Sequence, residues 1–241
     1  EDGKIGIIIT KDLSRLGREY LKTGEYIEII FPDYGVRYIA VNDNVDTAKA
    51  ENEMLALSLC RKGILGELVH GEAAYLHDLS HSKLNEEKTG GYQGQWRLEW
   101  TKQHTGNPYP THGLLPIMQA MNVNRGDRLE YLTCVSSAQI GMDAYARETF
   151  GEASWEAELH PRCGDMSTTV IRTANGRTIM VQHDVTSARP YSRINLVSGT
   201  QGILSDYPLR IALADKPGAG AHQWFSPERT EEIREKYRHP L

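Results

Sequence analysis

Apolar and polar positions switch between two periods along this chain, and the switches outline its elements. "KIGIIIT", Lys4 to Thr10, is a nearly continuous apolar run rich in β-branched residues, which predicts a strand buried on both faces. In "SRLGREYLKTGEYIEIIF", Leu16, Tyr20, Ile27, Ile30 and Phe31 fall near helical spacing, with Ser14 placed to cap the start and Pro32 marking the end. "VRYIAVND", Val36 to Asp43, reads as a second strand, so the opening predicts a βαβ unit. After Asp46 the texture changes. "NEMLALSLCRKGILG" predicts a helix stopped at Gly63, and "ELVHGEAAYLHDL" a strand with Val69, Gly71, Ala73 and Tyr75 on one face.

Residues 80 to 94 are polar and glycine-rich, which predicts a loop. "QWRLEWT" alternates, with Trp96, Leu98 and Trp100 on one side and Gln95, Arg97 and Glu99 on the other, the pattern of a strand. "THGLLPIMQAMN" predicts a helix, although Pro116 suits only a first turn. "RLEYLTCVSS", "MSTTVIRTA" and "RTIMVQHDV" predict three strands. The last two flank Asn175-Gly176, the dipeptide of a type I′ hairpin turn. "RINLVSGTQGIL" and "LRIALAD" extend the sheet, and "SPERTEEIREKYR" predicts a capped terminal helix. From about residue 52 the pattern is α+β, a mostly antiparallel open sheet with helices on one face.

Charge narrows the partners. The 241 residues carry 27 basic and 32 acidic side chains, a net charge of -5, which gives no general field for nucleic acid or an anionic membrane. No apolar run is long enough for a membrane span, and Glu1-Asp2-Gly3 is not the basic opening of a secretory signal, so localisation stays open. Cys60, Cys134 and Cys163 have neither disulfide-framework nor zinc-site spacing and read as buried small apolar residues. His77 and His81 stand four apart, but after a strand, and metal binding is not expected there.

"KDLSRLGREYLKTGEYIEIIFPDYGVRYIAVNDNVDT" resembles the catalytic domain of serine recombinases, over about residues 3 to 53. The resemblance implies that Arg15 and Arg18 bind a phosphate, since guanidinium forks offer paired donors to phosphoryl oxygens. The alternative is that both are solvated residues at a helix start. The family's nucleophilic serine has no counterpart here, and residues 1 to 53 hold seven bases against eleven acids, so DNA is disfavoured as a partner.

"GELVHGEAAYLHDL", "QWRLEW", "HTGNPYPTHGLLPIMQAMNVNRGDRLEYL", "IMVQHDVTSARPYS" and "HQWFSPE" together resemble glycoside hydrolase family 109, over about residues 51 to 241. These are NAD-dependent α-N-acetylgalactosaminidase-like enzymes on the Gfo/Idh/MocA oxidoreductase plan. The resemblance implies oxidation at sugar C3, elimination of the aglycone, addition of water and re-reduction by the same cofactor. It implies an N-acetylgalactosaminide or related sugar as substrate. Homo-oligomerisation through the open sheet is what the wider superfamily suggests.

Carried onto this sequence, the resemblance puts Tyr75, Arg97, Tyr109, Pro110, Thr111, His112 and Tyr191 at the substrate. Gln95, Trp96 and Tyr109 fall near NAD, and Tyr109 and His112 are the candidates for proton transfer. Each has a plainer alternative. Tyr75 suits a core aromatic with a satisfied hydroxyl, Arg97 a surface ion pair and Tyr191 a strand-edge aromatic. Tyr109 to His112 suit a proline-fixed turn with Thr111 capping the next helix. No G-x-G-x-x-G is present, which leads to the expectation that NAD binding and turnover are impaired in this chain. The two resemblances meet at "ENE", Glu51 to Glu53, dividing the chain into 1–53 and a substrate domain at 54–241 that the resemblance marks as truncated. Alternatives are a recombinase remnant acting on DNA, or a chimeric fragment without activity of its own.

Overall fold

A computed structural model describes residues 7–11, 36–40, 45–46, 51–84, 96–216, 218 and 220–238. The chain forms two compact units, Glu1–Ser58 with Ile233–Leu241, and Leu59–Glu232.

In the first unit, β1 (Ile7–Thr10) pairs parallel with β2 (Arg37–Ala40), which pairs antiparallel with β3 (Val45–Asp46). The strand expected to be buried on both faces is not. Ile7 and Ile9 are 54% and 65% exposed, while Ile8 and Thr10 are half-buried. Ile8 lies opposite the fully buried Tyr38, and the Thr10 and Tyr38 hydroxyls are 2.6 Å apart, so only one side of β1 has cover. The helix expected from Ser14 to Phe31, with Arg15 and Arg18, lies outside the described residues.

Helix α1 (Glu51–Arg61) ends as its glycine predicts. Gly63 has φ +68°, its N–H donates to the Cys60 carbonyl and that of Ile64 to the Leu59 carbonyl, the paired bonds of a Schellman stop.

The second unit is built on seven strands: β4 (Leu68–Leu76), β5 (Leu129–Ser136), β6 (Met166–Thr173), β7 (Thr178–Asp184), β8 (Leu196–Gly199), β9 (Gly202–Ser205) and β10 (Arg210–Leu213). Their order is β10-β9-β8-β4-β7-β6-β5, antiparallel throughout except for the parallel central pair β4/β7. The expected class therefore stands: an α+β domain on a mostly antiparallel open sheet. Ser167, Thr169, Ile171 and Thr173 on β6 are buried and their alternates are not, so the sheet is covered on one face. Helix α4 (Thr111–Ala120) supplies the central cover over β4, β7 and β8.

Several local expectations change. Ser80–Leu84 forms a short helix, α2, because Asp78 accepts the Ser80 amide and starts the turn. Trp96–Gln103 is a helix, α3, not a strand. Leu98 and Thr101 are buried three residues apart, the Thr101 hydroxyl donates to the Leu98 carbonyl, and Lys102 pairs with Glu99 at 2.7 Å. Pro116 sits in the middle of α4, which continues through it. Val69 is 48% exposed although Gly71, Ala73 and Tyr75 are buried, because a bulge against β8 falls between Leu68 and His70. The β6–β7 hairpin forms, but only Gly176 has positive φ. Gly176 N–H donates to the Thr173 carbonyl, a type I turn closed by a glycine bulge in place of type I′. Cys163 is buried, Cys60 half-buried and Cys134 exposed, so the shared burial expected for the cysteines fails at edge strand β5. Helix α5 (Gly141–Phe150) follows β5. Helix α6 (Pro227–Lys236) starts at Ser226, whose hydroxyl accepts the Arg229 amide, as expected for a capped helix.

Candidate functional site

The parallel pair brings two side chains together at its carboxyl end. Tyr75 and His183 are the penultimate residues of β4 and β7, opposite each other in the register and both on the helix-covered face. Their rings are stacked, with centroids 6.1 Å apart. Tyr75 is 5% exposed and His183 4%.

Two further segments are fixed onto Tyr75. The first is "NPYPTHG". The Asn107 side-chain oxygen accepts the Tyr109 amide and turns the chain into α4. Gly113 then lets the helix touch β4, since a Cβ there would lie 2.4 Å from the Ala74 nitrogen and 2.5 Å from its carbonyl oxygen. This puts the rings of Tyr109 and His112 at 5.0 and 5.3 Å from Tyr75, and 4.8 Å from each other. Thr111 does not cap the helix. Pro110 occupies the cap position, and no side chain bonds there.

The second segment is "ARPYS". Asp184, buried at the end of β7, accepts the Thr186 and Ser187 amides and so turns the chain beyond the strand. Ser192 then exchanges both backbone hydrogen bonds with Leu76, at 2.9 and 3.1 Å, which holds Tyr191 beside the end of β4. Tyr191 meets Tyr75 edge-on at 6.2 Å and His77 at 5.2 Å, while His77 lies 4.6 Å from Tyr75. Tyr207 extends the group 5.9 Å beyond Tyr191.

Of the expected substrate residues, the structure gathers Tyr75, Tyr109, His112 and Tyr191 into one cluster, with Pro110 and Thr111 at its helix start. Gln95 lies outside the described residues. Trp96 and Arg97 belong to α3, their side chains outside what is described, so the strand-based reason for turning Arg97 away from the tryptophans no longer holds. His77, His183 and Tyr207 were not expected at the substrate. The alternation of "RTIMVQHDV" puts His183 on the buried Ile179/Val181 face, but only the pairing of β7 with β4 shows that this face meets Tyr75. His81 is engaged by the Tyr145 hydroxyl at 3.2 Å, and no group of metal-ligating side chains exists among the described residues.

Phenols and imidazoles in one cluster can both grip sugar hydroxyls and carry protons near neutral pH. A cavity of about 10 Å³ beside His183, lined also by Lys83, Cys163 and Asp165, has room for no more than a water. In its wall, burial raises and hydrogen bonds lower the Asp165 carboxyl, and the bonds prevail: the amides of Gly141, Ile140 and Met142 and the Thr186 hydroxyl hold it under the ordinary carboxylate range. Asp165 thereby closes the amino end of α5.

Fold and cluster define the class: a one-sided sheet domain that presents tyrosine and histidine side chains at the carboxyl ends of its central strands. Residues 50–241 match the family described as glycosyl hydrolase 109, C-terminal domain, and the chain belongs to that family. A family 109 protein of Phocaeicola vulgatus is 48% identical over 188 residues, covering 78% of this chain and 45% of that protein. An α-N-acetylgalactosaminidase of Bacteroides fragilis is 44% identical over 188 residues, covering 78% and 44%. This chain thus spans less than half the length of these curated relatives. Among solved structures, an inositol dehydrogenase homologue from Azotobacter vinelandii complexed with NAD+ aligns with 93% of this chain and 51% of its own, at 14% identity and a TM-score of 0.48. The matched region begins at residue 50, and these comparisons give no support to the recombinase resemblance of residues 3 to 53.

Proposed function

We propose that this chain supplies the sugar-binding side of an α-N-acetylgalactosaminidase. Its family supports that activity, and one observation carries it to particular residues: Tyr75 stands at the centre of Tyr109, His112, Tyr191 and His77. In this reading the phenols of Tyr75 and Tyr191 hold sugar hydroxyls. The adjacent Tyr109 and His112 exchange protons with the substrate, His112 as the group able to both take and give one near neutral pH. Arg97 remains a further proposed substrate contact.

NAD enters through the family resemblance. The starts of α4 and α5 do not fit its phosphates. Asp165 already takes the Ile140 and Gly141 amides at α5, Pro110 stands at the cap of α4, and the Tyr109 amide is given to Asn107. No G-x-G-x-x-G occurs in the 241 residues. Trp96 and Tyr109 are the described residues proposed near NAD. The 241-residue chain alone is expected to bind NAD weakly, which calorimetric titration measures.

The activity test uses the protein in its full-length form with 4-nitrophenyl α-N-acetylgalactosaminide. Turnover that falls at least about 100-fold in His112→Ala supports the assignment. An active native protein whose turnover survives both His112→Ala and Tyr75→Phe would remove it.

A further inference from the structure

Beyond the cluster's own rings, a cation is built onto it. The Arg193 Nε–H donates to the Tyr191 hydroxyl oxygen at 2.6 Å. The local sequence makes this contact natural. Tyr191 and Arg193 flank Ser192, whose two backbone bonds to Leu76 hold the segment extended, so residues two apart project to the same side. The guanidinium carbon is 5.7 Å from the Tyr191 ring centroid, a position set by the bond to the hydroxyl at the end of the ring.

We propose that Arg193 is a positioning residue that acts through Tyr191. It fixes the phenol as a hydrogen-bond donor to the sugar. A guanidinium has donors and no acceptor. With Arg193 donating into the Tyr191 oxygen, the hydroxyl hydrogen is given to another acceptor, and in the substrate complex that acceptor is a sugar oxygen. The adjacent positive charge also favours electron density on the phenol oxygen, which matters most when charge builds there as the reaction proceeds. The proposal rests on reading the cluster as the sugar site of the glycosidase.

Two measurements on Arg193→Gln, Arg193→Lys and Tyr191→Phe decide it. In the full-length protein with 4-nitrophenyl α-N-acetylgalactosaminide, Arg193→Gln is expected to lower kcat by about 10- to 100-fold, with KM within about threefold. Arg193→Lys, which keeps a cationic donor, should recover most of the loss. Separately, carbon NMR of this chain labelled at the tyrosine Cζ should show one resonance that is missing in Tyr191→Phe. That resonance should move in Arg193→Gln, which loses the charged donor to the phenol oxygen, and less in Arg193→Lys.

An unmoved Tyr191 resonance overturns the coupling, as does a rise in KM with kcat unchanged. If the native protein shows no glycosidase turnover, the proposed function fails by itself, and the Tyr191 resonance still decides whether Arg193 governs Tyr191.

Discussion

One transverse row of the large sheet is sealed at one end and bare at the other. Ile211, Leu204, Val197, Gly71, Ile179 and Ile171 are paired successively across six strands and all are buried. Their next neighbour, Leu132 on β5, is 61% exposed. The strands differ little in apolar character. What differs is cover: Ile117 of α4 and Met121 just past its end reach down onto Gly71, and the burial of this face ends at the outermost strand. The candidate site lies on the sealed part of that face, where side chains can be held in one geometry. An aromatic cluster on β5 would have no such support.

The largest expected effect sets the two ends of the row against each other. Ile179→Ala removes a fully buried side chain from the centre and should cost about 2–5 kcal/mol, whereas Leu132→Ala should stay within about 0.5 kcal/mol. Urea denaturation of both variants is the check. Equal losses would mean that β5 is covered in solution, and the contrast would collapse.

Gly113→Ala tests how the cover is attached. In an exposed helix the change would help by about 1 kcal/mol, but here the new methyl meets β4 backbone at 2.4–2.5 Å, and backbone cannot rotate aside. The clash should prevail, with a net loss of about 1–3 kcal/mol and weaker sugar binding as Tyr109 and His112 move with the helix. A stabilised variant with unchanged binding would show that α4 can slide without harm to the site.

A smaller effect comes from acid. Asp127 is buried, which by itself would raise its carboxyl, yet the Thr173 side chain, the Asn175 and Arg128 amides and the Arg177 guanidinium at 3.3 Å hold it below the ordinary range. Asp165 is lowered as well. A carboxyl with a depressed folded-state value stabilises the fold fully above its unfolded value, about 3.9, and loses that contribution as pH falls toward the folded value. The urea midpoint should therefore drop below about pH 4, and drop less in Asp127→Asn, which starts from lower stability at pH 7. A midpoint unchanged from pH 5 to pH 3 would contradict this.

Much of this architecture is legible along the chain because half-buried strands carry their orientation in period two. The alternations of β6 and β7 give both strands and the side that is buried. "QWRLEWT" misleads for the same reason: its tryptophans alternate with polar residues by composition, while Leu98, Thr101, Glu99 and Lys102 obey the helical spacing that the fold uses. The extra residue at Val69 also escapes, since a bulge depends on the partner strand. At the site, Tyr75, Tyr109, His112 and Tyr191 were reachable through the family resemblance. His183 and Arg193 depend on register, one through β4/β7 pairing and the other through the Ser192–Leu76 bridge. Non-local pairing is what a single sequence carries least directly.

The cysteines give the mildest probe of the same contrast. Cys134 is exposed on β5, Cys163 is buried beside the covered face, and burial pushes the Cys60 thiol up to about 12. Burial likewise raises the Cys163 thiol, with nearby Lys83 opposing it in part. Because the thiolate is the reactive form, iodoacetamide at pH 8 should modify Cys134 at least about tenfold faster than the other two. Peptide mapping by mass spectrometry resolves the three rates, and urea should bring them together by removing the burial that separates them. If Cys60 or Cys163 reacts as fast as Cys134 in the folded protein, the covered region opens readily, and the sheet's two ends differ less in solution than their burial indicates.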